Sequence, residues 1–189
     1  MQIKTIPIQV PIVSIQFDFH KKIKKDLLKL INENKKQMDV VRYKDGTRIS
    51  YCDWDERKDS NRPWFKLIKT KLSVNFTQVA NHIGFFNYDL RDIWYQQYEK
   101  EDWHNWHTHS NNYTGVYYVE YDEDCKTELY DSINNKKFYI NAKEGDLVFF
   151  PSFVIHRSPQ KINKKRKTII SWNIDFSLLT QEMFDKLNA

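Results

Sequence analysis

Past residue 90 the sequence changes its period, and that change constrains the fold more than any other feature. Residues 90–177 are short runs of Tyr, Trp, Val, Ile and Phe, broken by turn-forming stretches at 99–102, 121–126, 134–136 and 143–145. Aromatic and β-branched residues fit a pleated, half-buried surface, and turns at such intervals join antiparallel strands, so this part predicts a sandwich or barrel. Upstream the period is helical. Residues 21–34 set Ile23, Leu27, Leu28, Leu30 and Ile31 on one side and lysines on the other. Residues 62–82 repeat the pattern with Phe65, Ile68, Leu72, Phe76 and Val79, Pro63 suiting the first turn and Gly84 the end. Residues 3–19 alternate and contain Pro7 and Pro11, which places them at a sheet edge, where no ladder donor is needed. A polar connection from Asn34 leads, after Asp45 and Gly46, to a short strand expected at 48–51. Residues 178–187 read as a terminal helix.

The 189 residues predict one domain with a sizeable core. Its parts are an N-terminal strand and supporting helices at 1–89, a β core at 90–177 and a C-terminal helix at 178–189. The excess of 30 Lys+Arg over 25 Asp+Glu lies largely in 21–36 and 161–167, read as solvated faces. That charge permits a nucleic-acid or acidic partner without demanding one, because no nucleic-acid module is present. Cys52 and Cys125 form no C-x-x-C pair, which suits a reducing cytoplasm. No signal-peptide pattern and no apolar run of membrane-spanning length is seen, so a soluble cytoplasmic protein without a membrane partner is expected. Oligomeric state is not legible.

The chemistry gathers in the β-rich half. His107 and His109 are two residues apart, and on an extended segment such imidazoles point the same way and can close on one metal ion. A third histidine, His156, ends the apolar run at 145–156. Beyond it, Arg166 and Lys167 head a strand that continues through Ser171, Trp172 and Asn173. His20 and His82 fall on predicted helices and read as ordinary surface or core residues.

In this order the blocks 107–109, 114–119, 145–156 and 171–174 resemble the Fe(II)/2-oxoglutarate-dependent oxygenase superfamily, within it the prolyl-hydroxylase-like branch found in phage and marine bacteria. The resemblance is best over residues 94–176. It implies a mainly β fold with flanking helices: a double-stranded β-helix, a jelly roll of cupin-like form, supported by the N-terminal helices. It also implies that His107, His109 and His156 are metal ligands holding one face of an iron, with positions left for 2-oxoglutarate and O2, and that ascorbate stimulates turnover. In relatives an Arg or Lys past the distal histidine anchors the far carboxylate of 2-oxoglutarate. Arg166 and Lys167 both qualify, but neighbours on a strand face opposite ways, so only one can serve. Arg offers a bidentate fork, whereas parity with Ser171 and Asn173 puts Lys167 on the pocket face. Lys167 is preferred and Arg166 stays open. Tyr98 and Tyr118 are candidates to hydrogen-bond the cosubstrate, and Trp103, Trp106 and Trp172 are read as pocket wall. If the chain is phage-encoded, its compartment is the host cytoplasm.

His109 departs from the superfamily pattern, in which Asp or Glu is usual at that position. A neutral ligand there raises the charge of the site by one, so iron is held less electrostatically. If His109 were not a ligand, His104 or Glu128 would be left to complete a two-histidine centre. Three functions follow. The first is a 2-oxoglutarate-dependent hydroxylase acting on a protein, peptide or amino-acid-like substrate, releasing succinate and CO2. The second is a three-His cupin-type iron dioxygenase without 2-oxoglutarate. The third is a catalytically silent binding module on the same fold.

Overall fold

The computed structural model describes residues 4, 6–33 and 46–189. The expected polar connection lies outside the described residues from Asn34 through Asp45. In chain order the elements are β1 (Val13–Gln16), α1 (His20–Glu33), β2 (Tyr51–Cys52), α2 (Pro63–His82), β3 (Phe85–Tyr98), β4 (His104–His107), β5 (Tyr113–Glu120), β6 (Glu128–Asp131), β7 (Lys136–Tyr139), β8 (Asp146–Pro151), β9 (Ile155–Ser158), β10 (Lys167–Leu179) and α3 (Gln181–Leu187). The strands form two antiparallel sheets. The larger has the order β1-β8-β5-β10-β3-β2 and the smaller β4-β9-β6-β7, a mainly β, double-stranded β-helix arrangement with helices on one side.

The larger sheet is buried on both faces, and strand alternation divides its side chains between two cores. On β8, Leu147 and Phe149 point to the helices, whereas Val148 and Phe150 point between the sheets. This is why β8 reads as one continuous apolar run rather than an alternating one. On the helix side Ile23, Leu27 and Ile31 of α1 and Phe65, Ile68, Leu72 and Phe76 of α2 pack against Tyr117, Phe149, Ile170 and Trp172. Trp172 is therefore a core ring beneath α2 and not pocket wall, because its position on β10 is of the wrong parity. Gly115 makes room for it: a Cβ there would come within 2.5 Å of the Trp172 ring.

Local chemistry explains the boundaries. Pro63 opens α2, and Asp53 pins its start by accepting from Arg62 Nη1 at 2.6 Å, Trp64 Nε1 at 2.9 Å and the Tyr95 backbone N–H at 2.7 Å. Gly84 ends α2 at φ +89°, which a side chain disfavours, and turns the chain directly into β3, so strand begins at Phe85. The expected strand at 48–51 is shorter and shifted. Arg48 makes only an isolated bridge to Trp103, and the pairing strand is Tyr51–Cys52. The Asp102 carboxylate occupies the Ser50 N–H and so interrupts any ladder there. At the other end β10 runs to Leu179, and Thr180 caps α3 by accepting from the Met183 N–H.

Candidate functional site

Three imidazoles converge where β4 and β9 pair. His107 lies directly opposite His156 in the antiparallel register, their ring centroids 4.2 Å apart. His109 stands two residues past the end of β4, so strand alternation alone does not aim it. Its loop is held by a 3.0 Å hydrogen bond from the His109 N–H to the Ser152 carbonyl, which brings its Nε2 within 3.3 Å of His156 Nε2. One nitrogen from each of the three falls within 4.8 Å of the others. Glu128 is not part of this group; it is paired with Arg157 at 2.6 Å.

The hydrogen-bonding partners fix the tautomer of two of these rings. His107 Nδ1 lies 2.7 Å from the Asn105 carbonyl and His156 Nδ1 lies 2.9 Å from the Val154 carbonyl. A carbonyl only accepts, so both Nδ1 atoms carry the proton and both Nε2 lone pairs face the centre. Burial and the neighbouring His107 push His109 down to about 3, and burial, His107 and His109 hold His156 well below the usual imidazole range. Three converging imidazoles at such separations suit a first-row divalent ion, Fe(II) included.

These depressed values have a consequence for folding. Each imidazole protonates more readily in the unfolded chain, which therefore binds more protons between the folded values and about 6.5. The histidines' contribution is complete above that window and is lost as pH falls through it. Metal-free protein is thus expected to lose stability from about pH 6.5 downward, by up to about 1.4 kcal/mol per pH unit for each imidazole held neutral. Urea unfolding in chelator at pH 7.5 and 5.5 measures this. Equal midpoints would mean that the rings are solvated.

The cavity between the sheets is lined by these three histidines together with Trp94, Gln96, Tyr98, His104, Thr114, Gly115, Val116, Thr127, Arg157, Ser158, Ile169 and Ser171. At the Ser158 and Tyr98 end lies Lys167, fully buried. Its Nζ donates to the Cys125 carbonyl at 2.8 Å and to Ser158 Oγ at 3.0 Å, lies 3.8 Å from Cys125 Sγ and sits 5.3 Å from the centre of the Tyr98 ring. Among the described residues no carboxylate pairs with it, and burial lowers its pKa. Arg166 faces the other way, in a two-point pair with Glu120 at 2.8 and 3.0 Å. The lysines of 161–167 are accordingly not all solvated. Lys161 is also fully buried, paired with Asp122 at 2.6 Å.

The other expected residues divide. Tyr98 and Ser171 line the cavity. Tyr118 donates to or accepts from Thr127 Oγ1 at 2.8 Å, and burial raises its phenol pKa, so it stands behind Thr127. Asn173 donates to Asp92 Oδ2 at 3.2 Å and does not line the cavity. Trp103 lines a neighbouring cavity, and Trp106 stacks under the Arg157 guanidinium. His20 is a satisfied core histidine, 2.8 Å from the Tyr117 hydroxyl. Gln96, Thr114, Thr127 and Ser158 were not anticipated. Stepping back two residues from Tyr98 along β3 would have reached Gln96.

No family model and no curated protein matches the sequence. Solved structures do match the fold. An oxidoreductase of the 2OG-Fe(II) oxygenase family from Burkholderia pseudomallei superposes with a TM-score of 0.65 at 9% identity, over 87% of this chain and 84% of its own. The viral collagen prolyl hydroxylase of Paramecium Bursaria Chlorella virus-1, in complex with 2OG, gives 0.57 at 17% identity over 88% and 96%. HygX from Streptomyces hygroscopicus, with nickel and 2-oxoglutarate bound, gives 0.63 at 9% over 91% and 85%. This chain therefore carries the double-stranded β-helix fold of the 2OG-Fe(II) oxygenases, with a cluster of three histidines in the cavity between its sheets.

Proposed function

We propose that the protein is an Fe(II)- and 2-oxoglutarate-dependent dioxygenase that hydroxylates a C–H bond of a protein, peptide or amino-acid-like substrate. The observation that carries this reading is the pairing of two features: three imidazoles that converge in one cavity and, bonded to Ser158 of its lining, a buried lysine with no carboxylate partner among the described residues. A buried cation is costly unless paired, so Lys167 is built to receive an anion. Arg166, already matched to Glu120, is not.

His107, His109 and His156 would hold the iron, and Lys167 with Ser158 would receive the far carboxylate of 2-oxoglutarate, the Tyr98 ring packing beside them. Iron with 2-oxoglutarate and O2 supplies the oxidation, 2-oxoglutarate leaving as succinate and CO2. The chain's own part is to orient and to exclude water. The carbonyls of Asn105 and Val154 fix two ligand rings, and Trp94, Val116 and Ile169 keep the cavity apolar between its polar ends.

A ligand set with no carboxylate also favours a second reading, a three-His dioxygenase that uses no 2-oxoglutarate, with Lys167 holding an acidic substrate instead. Anaerobic titration with Fe(II) and then 2-oxoglutarate separates the two. The proposed function expects the visible charge-transfer band of the iron chelate, and succinate after oxygen is admitted. Iron binding without the band supports the second reading. No iron binding at all would leave a silent module and overturn both.

A further inference from the structure

His104 belongs to none of the roles above, yet its ring lies flat on that of His107, centroids 3.9 Å apart and planes 16° from parallel. In a regular strand, residues three apart point to opposite faces. Here the β4–β9 register shifts between His104, opposite Ser158, and His107, opposite His156, leaving an extra residue on β4. That β-bulge swings His104 onto the cavity side. Asn105, inside it, supplies the carbonyl that accepts from His107 Nδ1, while its own N–H donates to Thr47 Oγ1 at 3.1 Å.

The stacked ring is itself held. Ser171 Oγ donates to Gln96 Oε1 at 3.3 Å, which orients the amide so that Gln96 Nε2 faces His104 Nδ1 at 3.4 Å. An amide N–H only donates, so His104 Nδ1 accepts and its proton sits on Nε2, the opposite tautomer to His107 and His156. His104 is not one of the three histidines whose nitrogens converge.

We infer that His104 and Gln96 are positioning residues for the metal site: Gln96 fixes the His104 ring, and that ring, stacked face to face, stops the His107 imidazole from turning away from the metal. The inference rests on the three-histidine reading of the site. Outer partners of metal ligands typically contribute roughly ten- to a hundredfold in affinity, and a stacked ring restricts a ligand's orientation as a hydrogen bond does.

Anaerobic Co(II) titration of the full chain, following affinity and the ligand-field absorption spectrum, tests this, with circular dichroism of the metal-free variants as the folding control. His104→Ala is expected to bind Co(II) about tenfold more weakly with an altered spectrum. Gln96→Leu, which keeps the bulk but loses the amide, should fall in between. His104→Phe, which restores a flat ring, should recover most of the affinity. The inference is overturned if His104→Ala and Gln96→Leu both bind within twofold of the parent with its spectrum, or if His104→Phe falls as far as His104→Ala, which would make His104 a ligand. If His104→Ala does not fold, the inference is overturned by Gln96→Leu binding within twofold of the parent with its spectrum, or by His104→Phe binding about tenfold or more weakly than the parent. His107→Ala runs alongside: undiminished Co(II) binding there would refute the metal site itself, a result distinct from failure of the positioning inference.

Discussion

Replacing Lys167 with Ala or Met is expected to weaken 2-oxoglutarate binding to the iron-loaded protein by roughly ten- to a hundredfold, and replacing Arg166 with Ala to leave it almost unchanged. A charge-assisted contact to a carboxylate in a buried site contributes about 1.5 to 3 kcal/mol, which sets that range. The asymmetry comes from strand geometry. Lys167 ends among the Cys125 carbonyl, Ser158 Oγ and the Tyr98 ring, with no carboxylate partner among the described residues. Arg166, one residue earlier, spends its guanidinium on Glu120. Losing that partly exposed pair should cost about 1 kcal/mol of stability and nothing in cosubstrate binding. Lys167→Met keeps the bulk of the side chain, so lost binding in a folded variant reports the charge. Parent-like 2-oxoglutarate binding in both Lys167 variants would remove the main support for the cosubstrate.

The second large effect concerns the proposed metal ligands. His107→Ala and His156→Ala should each lower iron affinity by more than the roughly hundredfold that loss of an outer partner can account for. Each removes one of two rings whose Nδ1 proton is already committed to a backbone carbonyl. His109→Asp should retain iron and bind it more tightly, because it adds a negative charge next to the ion, while His109→Ala should lose it. Iron stoichiometry after gel filtration, with affinity by competition against a chelator, measures all four. Equal loss in His109→Asp and His109→Ala would mean that the loop tied to Ser152 sets a reach only imidazole can span, and the charge argument would fail.

The local elements were legible because they depend on spacing. The apolar stripe through Ile23, Leu27 and Ile31 can be buried only as a helix, and the stripe through Phe65, Ile68, Leu72 and Phe76 likewise. Pro63 and Gly84 mark the ends of α2 through backbone angles that no distant contact needs to supply. Strand parity also predicted that Arg166 and Lys167 face opposite ways, and it grouped Lys167 with Ser171 and Asn173. Trp172, expected as pocket wall, has the opposite parity to Lys167 and Ser171 on β10, and because both faces of that strand are buried it packs beneath α2 instead. Lys161 was read as solvated, because nothing nearby in sequence announces Asp122.

What the sequence by itself determined is therefore the helices and a sheet-rich body able to hold a cavity, with histidines available in its β-rich half, since all of these follow from residue chemistry and short-range period. What only the tertiary structure decided is how the histidines meet. His107 faces His156 because β4 pairs with β9 in one register out of several, and His109 joins them through a loop bond to Ser152. His104 lies against His107 because a bulge breaks the two-residue alternation. Register, bulges and loop closure are set by contacts between segments far apart in the chain, and a pattern confined to neighbouring residues carries no record of them.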